Sequence, residues 1–388
     1  MKIAFLYNHD TIHQIPHTVP VAAALARRGV DVHILASSPE QSETARALLP
    51  PDVSVAFREL ELRPMSRIVN AALRHVAPFR RIAILRENVG VFRAYDAIVV
   101  PETTTTMLRT RFGVADVPLI YIPHGAGDGA AGFQTVTRQF DLVLLSGDKV
   151  RARMAAAGLI RAGHHSVIGY PKFDVTLGRP AERFFDNDLP TVVYNPHFNP
   201  RISSWYPFGR AVLEWFAQDR RYNLIFAPHV MLFQRLLHTS LIHRKMGWRG
   251  RVPAALRHHP RILIDPGSRR SIDMSYLRAA DLYLGDVSSQ IYEWIETPRP
   301  AVFFNTGGPE RTANPDFRHW RLGRVIDGME ALPSALAQSF AVPDTFAAAQ
   351  RQAVLETFSV TDRPAGERGA EAILAYLEGQ AADHSRAM

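Results

Sequence analysis

The 388-residue sequence contains no cysteine. That removes disulfides, thiolate nucleophiles and cysteine-based zinc sites at once. No apolar run approaches the ~20 residues needed to span a bilayer. The glycine spacings of a P-loop and of a dinucleotide fingerprint are both missing. His164-His165 and His258-His259 lack the i, i+4 spacing with a carboxylate that marks a helical zinc site, and they read as exposed loop residues. The opening MKIAFLYNHD has a lysine and a short apolar run but no small-residue cleavage site. It reads as a first buried strand, and the chain is expected in the cytoplasm. A further shortage is local. From Arg220 to Ile264 there is not one Asp or Glu, while Arg, Lys and apolar residues recur.

The formal net charge is +8. Such a balance suits anionic partners: nucleotides, membrane surfaces or nucleic acid. Nucleic acid is not the expected partner, because no zinc finger, recognition helix or aromatic-interleaved basic stretch accompanies the charge. Two stretches combine basic and apolar residues, Met65–Arg93 and Met231–Arg261. Basic, apolar helices that lie on anionic membranes have this composition, so peripheral membrane contact is expected at one or both.

Short apolar runs alternate with helical stretches along the whole chain. KIAFLYN, VDVHILA, YDAIVVP, PLIYIPHG, FDLVLLSG and SVIGYP occupy the first half; TVVYNPH, NLIFAPH, RILIDP, DLYLGD and PAVFFN the second. This grammar predicts two parallel, doubly wound α/β domains. The Pro-, Gly- and charge-rich interval 170–189 reads as their connection. The boundaries expected are 1–175, 190–366 and a terminal helix and tail over 367–388. Two such Rossmann-like halves facing a cleft make the GT-B architecture of glycosyltransferases and nucleotide-sugar 2-epimerases.

The most informative segment is Ala280–Pro298, ADLYLGDVSSQIYEWIETP. It predicts a strand over Leu282–Leu284, a turn at Asp286, and a helix opening at Ser288 or Ser289 and stopping before Pro298. Serines and free N–H groups at a helix N-terminus, past a strand's carboxyl end, suit a phosphate. Glu293, one turn on, suits ribose hydroxyls. Three histidines also close apolar runs after proline: His124, His197 and His229. Imidazole takes a proton from a hydroxyl near neutral pH or donates to a phosphate oxygen. Gly125 and the glycines after it permit a backbone turn close to a ligand. Asp10, His13 and His17 follow the first strand at the same rim. No carboxylate cluster offers a metal site, and neither metal nor cofactor is expected.

With these residues the chain resembles the CDP-glycerol glycerophosphotransferase family, the wall teichoic acid primases and polymerases. Asp286-Val287-Ser288-Ser289 with Glu293 is similar to the family's Asp-Tyr-Ser-Ser and following acid, with valine in the tyrosine's place. His124-Gly125 matches its first-domain His-Gly. His229 matches the histidine of its second-domain His-Pro, with Val230 after it. Asp362 through Glu367-Arg368 looks like its C-terminal pattern. The resemblance implies attack of an acceptor hydroxyl on the phosphorus of a CDP-linked polyol, with CMP leaving. It implies His124 as general base, His229 and the serine-capped helix on the pyrophosphate, and Glu293 on the ribose. Gly125 and Asp286 stand with them as expected donor contacts. The acceptor it implies is a lipid-linked or envelope glycan. The other readings are a GT-B glycosyltransferase using a nucleotide sugar, a UDP-sugar 2-epimerase (a family that has Ser-Gly-Gly where Ser288-Ser289-Gln290 stands) and a binding module without catalysis.

Overall fold

The computed structural model describes residues 1–73, 78–127, 133–240, 245–286, 288, 290–307 and 315–387. They form two compact units. The first takes most of the chain up to Leu177 and, in addition, Leu355 onward; the second takes Gly178–Val354.

The strands of the first unit are Lys2–Tyr7 (β1), Asp31–Ala36 (β2), Ala56–Glu59 (β3), Ala97–Val100 (β4), Leu119–Tyr121 (β5), Leu142–Leu145 (β6) and His165–Val167 (β7). They make one seven-stranded parallel sheet in the order β3-β2-β1-β4-β5-β6-β7. Ile3 to Leu6, Ala97 to Val100 and Leu142 to Leu145 are almost fully buried. Helices on both faces of a parallel sheet demand such unbroken apolar runs. The order turns back at β1, with β2 on one side and β4 on the other, and at such switch points ligands bind beyond the carboxyl ends.

The expected boundary at 366 does not follow the packing, since the residues from Leu355 belong with the first unit. Their long helix Ala365–Ala387 lies on the helix Val19–Arg27. The approach is close because Gly366 and Gly369 face it: a Cβ on Gly366 would stand 2.7 Å from the Pro20 carbonyl oxygen, and one on Gly369 2.9 Å from Val21. Asp174 accepts the Ala365 and Gly366 N–H groups at 3.2 and 2.6 Å, and Arg368 reaches the Ser359 and Val167 carbonyls. The Asp362–Arg368 pattern thus fastens the chain's return.

The strands of the second unit are Thr191–Asn195 (β8), Asn223–Phe226 (β9), Leu237–Ser240 (β10), Lys245–Trp248 (β11), Ile262–Ile264 (β12), Leu282–Gly285 (β13), Ala301–Phe304 (β14) and Arg324–Ile326 (β15). Six of them make a parallel sheet in the order β12-β9-β8-β13-β14-β15. The antiparallel pair β10–β11 stands outside that sheet. The strand expected within Ala280–Pro298 is present as β13, while the helix after it is shorter than expected, Gln290–Trp294.

The two basic, apolar stretches fold differently from one another. Met65–Arg93 gives three helices, Pro64–Leu73, Phe79–Glu87 and Val89–Phe92, the first with no buried residue. Met231–Arg261, expected to be helical, holds the β10–β11 pair instead. Its pattern there has a period of two rather than a helical stripe: His238 and Gly247 turn to the interior while Leu237, Met246 and Trp248 turn out. His165 opens β7 and, with His164, is partly buried rather than loop-exposed, because His164 Nδ1–H donates to the Asp141 carbonyl at 2.7 Å. No helix among the described residues is long and apolar enough to cross a membrane.

Candidate active site

In the first unit, the carboxyl ends of the adjacent strands β1, β4 and β5 carry Asn8 to His17, Pro101-Glu102 and His124-Gly125. His124 is fixed by Nδ1, which donates to the Pro101 carbonyl at 2.7 Å. A carbonyl only accepts, so the neutral ring keeps its proton on Nδ1 and its lone pair on Nε2. The Gln14 amide nitrogen lies almost equally far from both ring nitrogens, 3.2 Å from Nδ1 and 3.3 Å from Nε2, and so does not sit along the Nε2 lone pair. Burial lowers the His124 pKa below its ordinary value, against the Pro101 bond, and nearby Arg81 lowers it further. The ring is therefore neutral at pH 7 and ready to accept a proton. Gly125 has φ of +107°, a conformation that side-chain-bearing residues rarely adopt, and the chain leaves His124 by that turn.

Other histidines crowd this ring. His13 is 5.2 Å away by ring centroids, His17 6.4 Å and His9 6.5 Å. His17 is buried and held neutral by that burial, beside Lys172. Asp10 is paired with Arg81 at 2.8 Å, beside the His124 ring. A cavity of about 140 Å³ opens here, lined by His9, Gln14, Arg81, Glu102, Tyr121 and His124 among others. Buried Glu102 accepts the Thr104 and Thr105 N–H groups at 2.5 and 3.1 Å, which orders the turn after β4. Sequence reasoning missed Glu102, Gln14 and His9. The signal for Glu102 was present, an acid directly after the apolar run of β4.

In the second unit, β9, β8 and β13 are neighbours, and their ends carry His229, His197 and Asp286. Tyr194 pairs with Phe226, so His197 and His229 stand at the same offset past their strands, each after proline. The two loops stay linked: His229 N–H donates to the Pro196 carbonyl at 3.0 Å. Both rings accept a backbone N–H two residues on. His197 Nδ1 takes that of Asn199 at 3.0 Å, and His229 Nδ1 that of Met231 at 3.2 Å. A lone pair on Nδ1 places the proton of each neutral ring on Nε2. The ring centroids are 5.2 Å apart. Burial, and then His229 and His238, keep His197 well below its ordinary pKa, so it stays neutral. The pair presents Nε2–H donors, the opposite tautomer to His124.

Asp286 is fully buried and faces inward. Its carboxylate accepts the His197 N–H at 2.9 Å, the Ser204 N–H at 2.5 Å and the Ser204 hydroxyl at 2.8 Å. Burial pushes its pKa up to about 7 against the pull of those donors. Its two oxygens thus fix the loop that carries His197. Ser288 is buried, and its hydroxyl accepts the Gln290 N–H at 3.2 Å at the start of the helix Gln290–Trp294. Glu293 is buried on that helix. Ser289 lies outside the described residues. Among the described residues no three His, Asp or Glu side chains gather as a metal site requires.

No protein-family model matches this chain, and no curated protein matches it by sequence. Solved structures do match in fold. The wall teichoic acid polymerase TagF soaked with CDPG has a TM-score of 0.64 at 12% identity, over 98% of this chain and 89% of that one. A putative UDP-N-acetylglucosamine 2-epimerase from Listeria monocytogenes has 0.61 at 14%, over 98% and 96%. CalG4, the calicheamicin glycosyltransferase, has 0.53 at 15%, over 97% and 98%. Each unit is a parallel α/β sheet, and the chain has the GT-B fold class of these neighbours.

Proposed function

We propose that this chain is a transferase that moves a polyol phosphate, glycerol phosphate or a relative, from a CDP-linked donor to a hydroxyl of a lipid-linked or envelope glycan. The observation that carries the reading is the pair of opposed tautomers. One histidine, in the first unit, keeps a basic Nε2; two in the second unit keep Nε2–H donors. Transfer from a nucleotide diphosphate needs both a base for the incoming hydroxyl and donors for the charge left on the leaving phosphate.

In this reading the acceptor oxygen attacks the polyol-bearing phosphorus while its proton passes to His124 Nε2. The bond from that phosphorus to the bridging oxygen breaks, and CMP departs with the electron pair. His197 and His229 donate Nε2–H to the pyrophosphate, and Ser288 with the N-terminus of the helix Gln290–Trp294 serves the same anion. Ser289 joins it on sequence grounds. Glu293 and Gly125 complete the proposed donor contacts, Glu293 through the ribose. Asp286 acts through the His197 loop rather than on the donor.

The fold neighbours favour a second reading, a nucleotide-sugar enzyme, since others of this fold hold UDP or UDP-GlcNAc. The same base and donors serve hexosyl transfer. A thermal-shift series with CDP, CMP, UDP and GDP separates the two, because a ligand of the folded state raises its stability. Greater stabilisation by cytidine nucleotides is expected. A response to UDP with none to CDP rejects the CDP-polyol donor and promotes the nucleotide-sugar reading.

A further inference from the structure

Among the described residues nothing covers one apolar face of the β10–β11 pair. The register sets Leu237 opposite Trp248 and Thr239 opposite Met246. Side chains directly opposite share a face, so these four lie together, away from His238 and Gly247. The inner face is packed. His238 is buried and its Nε2–H donates to the Leu232 carbonyl at 2.9 Å, while a Cβ on Gly247 would meet Tyr206 and Pro200 at 2.5 and 2.7 Å. The Trp205 indole anchors the end of β11 through the Arg249 carbonyl. The outer face stays in solvent: Met246 is 69% exposed, Trp248 65% and Leu237 47%. An exposed group of this size and composition marks a docking surface.

Its charge selects the occupant. Arg235, Arg251 and Arg257 lie on either side of the pair in the sequence and are exposed, and no acid lies between Arg220 and Ile264. A second copy of the chain would set like charges against one another. An indole and a thioether with arginines on either side suit the boundary between headgroups and acyl chains, where tryptophan settles with its polar edge wet. We infer that the β10–β11 pair docks on an anionic lipid surface, with Leu237, Met246 and Trp248 entering the headgroup layer and the flanking cations on lipid phosphates. The exposed helix Pro64–Leu73 is the weaker candidate, because its Arg67 is paired with Glu61 at 2.5 Å and its Ser66 with Glu87. This inference stands independently of the donor.

The test is co-sedimentation of the full chain with phosphatidylcholine vesicles, with and without phosphatidylglycerol. Binding is expected only with the anionic lipid, weakening as salt shortens the ~10 Å Debye length of 0.1 M solution. The double variant Met246→Ser/Trp248→Ser should lose partitioning by roughly tenfold or more, as expected for removing two interfacial apolar side chains. Both positions are exposed, so its melting temperature should not move. In the wild type, tryptophan emission should shift to the blue on binding, and Trp248→Phe should remove most of that shift. Met65→Ser/Ile68→Ser should leave partitioning within about twofold. Absence of binding at low salt overturns the inference, as does loss through the 65/68 variant instead of the 246/248 variant. Self-association without lipid that the 246/248 variant abolishes overturns it too, in favour of a second copy.

Discussion

Replacing Asp286 by alanine tests whether this carboxylate works through His197. The substitution removes three hydrogen bonds at a fully buried position: from the His197 N–H, the Ser204 N–H and the Ser204 hydroxyl. The hydroxyl can turn to Tyr194, 3.0 Å away. The two N–H groups have no such alternative in the folded loop, and each buried donor left without an acceptor costs about 1–3 kcal/mol. Water entering the vacated space offsets part, leaving roughly 2–4 kcal/mol. For a domain of this size that is a fall in melting temperature of roughly 4 to 16 °C. The penalty is also pH-dependent. The folded pKa, about 7, lies above the ordinary carboxyl value of 3.8, so the group's contribution is full below the lower value and lost as pH rises through the upper. The gap between wild type and variant should narrow accordingly from about pH 4 to about pH 8. The functional half of the test is a double-mutant cycle on nucleotide affinity with His197→Ala. If Asp286 only places His197, adding Asp286→Ala to His197→Ala costs little more affinity. Full additivity would mean that Asp286 meets the donor itself, and a variant as stable as wild type would refute the role in the loop.

His124→Ala should lose turnover by roughly a hundred- to ten-thousand-fold while keeping most of its donor affinity; steady-state kinetics beside direct nucleotide titration would check the split. Because burial lowers the His124 pKa, the acid limb of wild-type kcat/KM should lie below pH 6.5, and a limb above that value would exclude this ring as the base. His17, His124 and His197 all have lowered pKa values, so each contributes stability above its ordinary pKa of 6.5 that is lost as pH falls. The midpoint of urea unfolding should drop between about pH 7 and about pH 5, three histidines outweighing the opposite trend of Asp286. Gly366→Val should destabilise the first unit by about 1–3 kcal/mol, since the added atoms meet the Pro20 backbone, whereas alanine at exposed Gly379, with nothing near it, should not.

The alternation of apolar runs was enough to read both parallel sheets except the edge strands β3 and β15, because strands buried on both faces cannot hide their composition, whereas these two are partly exposed and short. Pro-His at three strand ends likewise marked where His124, His197 and His229 would stand. What the chain did not disclose is what each ring does with its proton. That depends on whether Nδ1 meets the Pro101 carbonyl, 23 residues away, or a backbone N–H two residues on. Asp286 read as a donor contact because a strand-end acid beside serines suits one; its burial depends on Ser204, whose partnership no local pattern records. The helical reading of 231–261 failed for a related reason. Composition reported the basic and apolar content, while the residues between β10 and β11 carry no Asn-Gly or Asp-Gly signal of a hairpin.

The return of the chain to the first unit has a consequence for how the protein is made. Synthesis runs from the N-terminus, so the second unit, Gly178–Val354, has all its strands before Leu355 leaves the ribosome. The first unit does not reach completion so early. Until the helix Ala365–Ala387 emerges, the face of Val19–Arg27 that receives Gly366 and Gly369 has no partner. Of the two units, the one whose synthesis starts earlier is therefore completed later, and its sheet must wait for its last helix through the making of the other unit.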